Sequence, residues 1–169
     1  MRQITTLAII EAGDKALLAM KKRGFGEGWR NGYGGKVQEG ETIAQAMARE
    51  LQEESGIVAK VYKERAVIEF FFQGTDRIVE MHIFEVTEYE GEAKETEEMA
   101  PKWFFKKEIP YEAMWPADRK WMPLFFEGKN FTGQAVFDGE TKAYIESEFV
   151  VRQNPETENA ESSGENRLK

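Results

Sequence analysis

An α+β fold, an α/β/α sandwich with helices on both sides of one mixed β-sheet, is predicted by three observations. Strand-like runs occur as hairpins, one helix carries both its start and its stop signal, and a glycine-dense loop leads into that helix. Length agrees with a single domain: 169 residues, 41% of them hydrophobic, supply one well-filled core and too little for two.

The elements follow in order. Residues 4–10 and 16–20 are apolar runs on either side of Gly13-Asp14 and read as a hairpin. Gly24, Gly26, Gly28, Gly32, Gly34 and Gly35 then crowd one loop, too densely for a helix, so the backbone is expected to approach a ligand closely. Thr42 and Gln45 form a capping box and Gly56 a stop, which predicts a helix over 43–55. Residues 61–72 and 78–86 are rich in β-formers around Gln73-Gly74-Thr75-Asp76, a second hairpin. Residues 88–98 read as an acidic connection, 102–105 as a short strand, and 117–126 as a second helix entered through Trp115-Pro116. Strands near 131–137 and 143–150 complete the sheet. The domain is assigned to residues 1–152, and the Glu/Asn/Ser-rich stretch 153–169 is expected to be a disordered tail.

Composition removes several chemistries. There is no cysteine, and His82 is the only histidine, so thiolate nucleophiles, Ser-His-Asp triads and multi-histidine metal sites have nothing to be built from. A net charge of −8 disfavours stable binding to a nucleic-acid backbone. A small anionic ligand would need a bound cation to screen its phosphates from so acidic a protein. The N-terminal apolar run is too short to span a membrane and is interrupted by Glu11, so the expectation is a cytoplasmic protein, without membrane attachment, acting as a monomer.

The chemistry is concentrated between Gly35 and Ile57. Gly35 is followed after five residues by Glu41, and after seven more by Arg49-Glu50-Leu51-Gln52-Glu53-Glu54-Ser55-Gly56-Ile57. At about 100° per residue, Glu50, Glu53 and Glu54 share one helix face, with Ala44, Ala48, Leu51 and Ser55 roughly opposite. Three carboxylates within two turns repel one another unless a cation is shared among them, and hard oxygen ligands suit Mg²⁺ or Mn²⁺. Arg49 stands four residues before Glu53 and is placed to orient that carboxylate; Glu41, near the helix entrance, is expected to do similar work.

This pattern resembles the Nudix box at every specified position, a coincidence expected on the order of once in 10⁹ starting points. The resemblance extends over residues 4–150 through Met20-Lys21-Lys22-Arg23-Gly24-Phe25-Gly26, residues 31–42 and Met114-Trp115-Pro116, which are similar to the oxidised-purine nucleoside triphosphatases among the MutT homologues. It implies Mg²⁺-dependent hydrolysis of 8-oxo-dGTP to 8-oxo-dGMP and pyrophosphate, with Glu50, Glu53, Glu54, Arg49 and Glu41 as the catalytic set. The implied metal ligands are the Gly34 carbonyl, Glu50, Glu53, Glu54 and Glu98, the last through Glu98-Met99-Ala100-Pro101. Lys21 is implied as the partner of substrate charge, and Tyr33, Gly34, Gly35 and Lys36 as loop contacts. Asn31, Trp115 and Asp118 are implied in reading the base, with Thr6, Phe25, Phe70, Phe72 and Val79 lining its pocket. Trp121, at helical spacing from Ala117 and Leu124, reads as core, and His82, between Met81 and Ile83, as structural.

Two departures from the family stand out. Where relatives carry two adjacent aspartates after Trp-Pro, this chain has Ala117 and then Asp118. A lone carboxyl cannot share a proton with a neighbour, so 8-oxo-guanine is expected to be served and 2-hydroxy-adenine less well. Trp29-Arg30 also inverts the family's order just before Asn31, and loop packing is expected to differ there. The competing expectations are another nucleoside diphosphate-linked substrate (a dinucleotide polyphosphate, a nucleotide sugar or a capped RNA end) and a non-catalytic binding module of the same fold.

Overall fold

A computed structural model describes residues 1–153; the greater part of the expected tail, 154–169, lies outside the described residues. The elements are β1 (Arg2–Ala12), β2 (Lys15–Lys21), β3 (Arg30–Asn31), α1 (Ile43–Ser55), β4 (Val58–Gln73), β5 (Ile78–Glu90), β6 (Met99–Phe105), α2 (Asp118–Phe126), β7 (Asn130–Asp138) and β8 (Tyr144–Arg152). The sheet order is β3-β2-β1-β5-β4-β7-β8, with β6 on the other edge of β2. It is mixed: β1 runs parallel to β5 and β4 parallel to β7, while the hairpins are antiparallel.

Alternation along the strands builds two cores. Ala8, Ile10, Leu17, Phe84 and Val86 face Met47 and Leu51 of α1. Leu7, Ile9, Leu18, Ile68 and Ile83 face Trp121, Met122 and Phe125 of α2. This is the predicted sandwich. Trp121 is fully buried, as expected of a core residue. His82 is 8% exposed between Glu80 at 2.8 Å and Glu64 at 3.2 Å, a sheet-surface polar contact.

α1 spans the predicted residues. Thr42 Oγ1 accepts from Gln45 N, Gln45 Oε1 accepts from Thr42 N, and Gly56 ends the helix at φ 82°. Its buried face differs in one respect: Ala46, Met47, Leu51 and Ser55 are buried, while Ala44 and Ala48 are half-buried. Turning the face towards Met47 buries the larger apolar side chain. The second helix starts one residue later than predicted, at Asp118, with Ala117 in the N-cap position and no side-chain cap bond. Residues 88–90 extend β5, so the acidic connection is shorter than the sequence suggested.

One feature opens the sheet for function. β1 pairs with β2 only at Ile10–Ala12, after which the two strands separate. The glycine-dense segment fills the fork: Arg30 and Asn31 pair with β2, while Tyr33 and Lys36 bridge to Ala8 and Thr5 of β1. A Cβ on Gly32 would stand 2.5 Å from the Ala8 carbonyl oxygen, and one on Gly34 only 1.8 Å from that of Thr6, so a side chain at either position would force the segment away from β1.

A second polar feature holds the other end of the molecule together. Arg65, 5% exposed, donates from Nε to Asn130 Oδ1 (2.6 Å) and from its terminal nitrogens to Glu85 (2.8 Å) and the Lys129 carbonyl (2.7 Å). It joins β4 and β5 to the chain leaving α2.

Candidate active site

The fork between β1 and β2 forms one wall of a cleft. Thr5, Thr6 and Leu7 of β1, Ala19 and Lys21 of β2, Asn31 and the glycines after it, Glu54 of α1, Met81 of β5 and Trp115 line it, with Phe25 and Trp29 at its mouth. Glu54 is the α1 carboxylate that lines it, together with the aromatic cluster of Phe25, Trp29 and Trp115.

Among the carboxylates Arg49 is the hub. Its guanidinium grips Glu41 through two hydrogen bonds (2.7 and 3.1 Å), reaches Glu50 at 2.8 Å and the Lys36 carbonyl at 3.0 Å, and touches Glu53 at 3.3 Å. The expected Arg49–Glu53 pair is therefore the longest of its contacts, because Glu53 points to solvent. Glu41 is bound on both oxygens and also accepts from Gln38 N at 2.7 Å. The Arg49 hydrogen bonds, and then that backbone bond, hold its carboxyl below the usual carboxylate range.

Glu54 is the carboxylate directed into the cleft. Ladder alternation turns the peptide groups of Gly34 away from β1, since the Tyr33 and Gly35 carbonyls already accept from Ala8 and Thr6. The Gly34 N–H is donated to Glu54 Oε2 at 3.1 Å. Burial pushes the Glu54 carboxyl up to about 7 against that hydrogen bond, and the charges of Glu50 and Glu98 push the same way. Lys21 opposes them. Glu98, on the connection before β6, is exposed and pairs with Arg23 at 2.9 Å, which holds it below its ordinary range.

These oxygens suit a divalent cation chemically. A buried carboxylate that resists ionisation, with two further acidic groups raising the same negative potential, is a site short of positive charge. Among the described residues no three acidic or imidazole side chains already converge on one point. Glu50 and Glu98 are instead neutralised within the protein by Arg49 and Arg23.

Within the aromatic cluster, Trp115 has Phe25 stacked on it at 5.2 Å and Trp29 tilted against it at 4.7 Å. Thr6 is buried in the cleft wall with its hydroxyl unpartnered. Asn31 turns its side-chain oxygen to the N–H of Gly32. Asp118 lies behind the Trp115 loop, 3% exposed; Oδ1 accepts from Trp121 Nε1 at 2.9 Å while Oδ2 is unpartnered. Burial pushes its carboxyl up to about 7 against the Trp121 and backbone hydrogen bonds.

Of the residues expected from sequence, the cleft brings together Thr6, Lys21, Phe25, Asn31, Gly34, Gly35, Glu54 and Trp115. Five lie elsewhere. Tyr33 is fully buried against α1, because its peptide groups pair with Ala8 and its ring follows the α1 face. Lys36 is exposed and contributes only its carbonyl, to Arg49. Phe70 and Phe72 pack with Phe137 and back Trp115 rather than line the cleft. Val79 sits opposite Phe70 in the β4–β5 register, and Met81, two residues along, takes the lining position. Asp118, as described, is adjacent but closed off. Trp29 and Met81 were not anticipated. Parallel pairing sets Met81 beside Thr5, a register no local pattern reveals. Trp29 was visible only as half of an inverted dipeptide; its partner Arg30 stacks on Phe104 at 5.1 Å, leaving the indole for the cleft.

Comparison with known proteins decides the family. The model of the NUDIX domain matches residues 1–125. The chain belongs to the Nudix family. It is 45% identical to the oxidized purine nucleoside triphosphate hydrolase of Danio rerio over 137 residues, covering 81% of this chain and 88% of that protein. Its identity to the protein of the same description from Mus musculus is 42% over 138 residues, covering 82% and 88%. Among solved structures, the MutT protein of Bacillus halodurans superposes with a TM-score of 0.77 at 25% identity, over 87% of this chain and 97% of that one.

Nudix hydrolases work with a divalent metal, and in this Nudix hydrolase Glu50, Glu53 and Glu54 of α1, the Gly34 carbonyl and Glu98 are the candidates to hold it. Among the described residues no helix is long and apolar enough to cross a membrane. The Glu50 position is sensitive to its neighbour: a Cβ on Gly35 would stand 2.4 Å from the Glu50 carboxyl carbon. Gly35→Ala is therefore expected to displace Glu50 from Arg49 and lower nucleotide turnover by about 10- to 100-fold, the range for lost support of a metal ligand. Steady-state kinetics alongside an unchanged far-ultraviolet dichroism spectrum checks this; near-normal turnover would contradict it.

Proposed function

We propose that this Nudix hydrolase cleaves oxidised purine nucleoside triphosphates to the monophosphate and pyrophosphate, with 8-oxo-dGTP as the leading substrate and Mg²⁺, or Mn²⁺ in its place, as cofactor. The observation that carries this reading is one cleft lined by both the α1 carboxylate Glu54 and the Trp115 indole, with the almost fully buried Asp118 carboxyl near that indole. The two relatives named above bear the matching activity in their descriptions. The enzyme is proposed to act as a cytoplasmic monomer that clears damaged nucleotides.

The residues divide the work. Lys21 lines the cleft and opposes the charge on Glu54, which suits it to meet the triphosphate. Arg49 fixes Glu50 and, through Glu41, the entrance of α1, so that the carboxylates keep their relative placement. A bound divalent cation supplies neutralisation of the phosphate oxygens and a water of lowered pKa. Trp115 offers an indole face to the purine, Asn31 an amide to its edge, and Phe25 and Trp29 exclude water from those hydrogen bonds.

Asp118 gives the reading a pH signature. With its carboxyl pushed up to about 7, the protonated form persists to neutrality, and its unpartnered oxygen offers an O–H donor to a purine whose entry moves the Trp115 side chain off it. Affinity for 8-oxo-dGTP is expected to fall as pH rises through about 7, and Asp118→Asn, which cannot ionise, is expected to flatten that dependence. KM measured from pH 6 to 9 in both proteins decides it. Ala117 is fully buried and carries no second carboxyl, so kcat/KM for 2-hydroxy-dATP is expected to be about 10-fold or more below that for 8-oxo-dGTP, the scale of one unmade buried hydrogen bond. Equal values would sink that expectation.

A substrate panel with product analysis tests the whole reading. The proposed enzyme releases pyrophosphate and one monophosphate. Preferred cleavage of a dinucleotide polyphosphate, nucleotide sugar or capped RNA would overturn the substrate assignment, and no Mg²⁺-dependent turnover would identify a binding module.

A further inference from the structure

Arg23 ends the basic run Lys21-Lys22-Arg23 at the cleft, and the structure gives its three members different tasks. Lys21 lines the cleft. Lys22 is locked: its ammonium reaches Glu95 Oε1 and the Thr96 carbonyl at 2.9 Å each, and its backbone N–H bonds the Glu98 carbonyl at 2.7 Å, which pins the connection before β6. Arg23 bonds side-chain carboxylates, Glu98 at 2.9 Å and Glu97 at 3.5 Å, with its own side chain 59% and that of Glu98 53% exposed.

We propose that Arg23 is an exchangeable counter-ion: it holds Glu98 while the cleft lacks a divalent cation, and turns to the substrate's triphosphate once a cation takes Glu98. The inference rests on the reading above in one respect, that Glu98 is a metal ligand.

Three observations support the exchange. Met99, which follows Glu98, and Lys21, two residues before Arg23, both line the cleft, and the Lys22 N–H bonds the Glu98 carbonyl at 2.7 Å, so the Arg23–Glu98 pair stands at the cleft's edge. The Arg23–Glu98 pair is a half-exposed surface pair, the weak kind that a divalent ion can displace. A guanidinium is a planar fork whose donors fit carboxylate and phosphate alike, so the group released from Glu98 is already suited to the incoming phosphates. Arg23 is also followed by Gly24 at φ 79°, where the chain turns into the loop carrying Phe25 and Trp29. The exchange would therefore occur at the root of the segment that covers the base.

Two probes without a nucleobase test it on the full chain. Mn²⁺ titration followed by electron paramagnetic resonance, without nucleotide, should show Arg23→Ala binding Mn²⁺ about 2- to 5-fold more tightly than wild type, as expected when a competing surface pair is removed. Calorimetry with inorganic tripolyphosphate in excess Mg²⁺ should show the same variant binding about 5- to 20-fold more weakly, with Arg23→Lys between the two. The Arg23 Nε–H resonance, assigned by its loss in Arg23→Lys, should move once on Mg²⁺ addition and again on tripolyphosphate addition. Unchanged or weaker Mn²⁺ binding in Arg23→Ala, unchanged tripolyphosphate affinity, or a resonance indifferent to Mg²⁺ would each overturn the proposal. Because neither probe contains a purine, such a failure leaves the oxidised-purine reading standing. Conversely, an inactive substrate panel would leave the exchange intact.

Discussion

Replacing Glu54 by glutamine is expected to lower kcat by about 10²- to 10³-fold and, at the same time, to raise the melting temperature of the metal-free protein at pH 8. Removing one carboxylate from a metal-held phosphate site forfeits several kcal/mol of transition-state stabilisation, and each 1.36 kcal/mol is tenfold in rate. Glutamine still accepts from the Gly34 N–H, so the fork should keep its shape. The stability effect has the opposite sign. Burial raises the folded pKa of Glu54 to about 7 from an ordinary 4.5, so the fold favours the protonated form. Its contribution is fully present below about 4.5, is lost as pH rises towards 7, and stays lost above. The variant has no such loss, and Glu11 and Asp118, raised in the same direction, are unchanged in it and cancel in the comparison. Thermal melts in chelator should therefore converge near pH 4.5 and separate by pH 8, with pyrophosphate release measured in parallel. Wild-type turnover, or a variant less stable than wild type at pH 8, would refute the assignment.

Arg65→Ala is expected to destabilise the protein by about 3–5 kcal/mol, the cost of removing one partner from a buried charged network. For a chain of this length that corresponds to a fall in Tm of about 6–20 °C. The side chain is buried, and its loss takes from Glu85 and the Lys129 carbonyl the donor they share. Because that donor ties β4 and β5 to the segment after α2, hydrogen exchange should accelerate around residues 125–131 while α1 stays protected. A Tm within 2 °C of wild type, on the order of 1 kcal/mol at most, would mean that the network contributes little.

Legibility in the sequence followed locality. α1 was readable to the residue because Thr42, Gln45 and Gly56 act within one turn of its ends. Helical spacing brings Glu50, Glu53 and Glu54 within two turns, but it does not reveal that Glu54 enters the cleft while Glu53 faces solvent. Arg49 was read only as the partner of Glu53, since the helix places those two together, whereas its stronger grip on Glu41 depends on the loop before α1 folding back. The hairpins were visible in composition, but the β1–β5 and β4–β7 parallel pairings were not, as nothing local encodes a partner so far along the chain. That is why the place of Met81 in the lining, and the packing of Phe70 and Phe72 against Phe137, have no local signal in the sequence. Tyr33 was misplaced for a related reason. A residue in a ligand-facing loop is expected to face the ligand, yet this loop is also a strand substitute whose alternate side chains enter the core.

The parallel register of β1 also sets a timetable for the nascent chain. Arg2 pairs with Ile78, and the match runs on to Ile10 with Val86. At about 5–20 residues per second, the ribosome needs roughly 4–15 s to deliver the partner of a strand made first. Through that interval Leu7, Ala8, Ile9 and Ile10, each nearly or wholly buried in the finished protein, form an uncharged β-prone run with only β2 to shelter part of one edge. Folding yield during synthesis should therefore depend on translation speed between β2 and β5. Slow codons placed there would prolong the exposure of β1, and chaperone demand should peak before residue 86 has emerged.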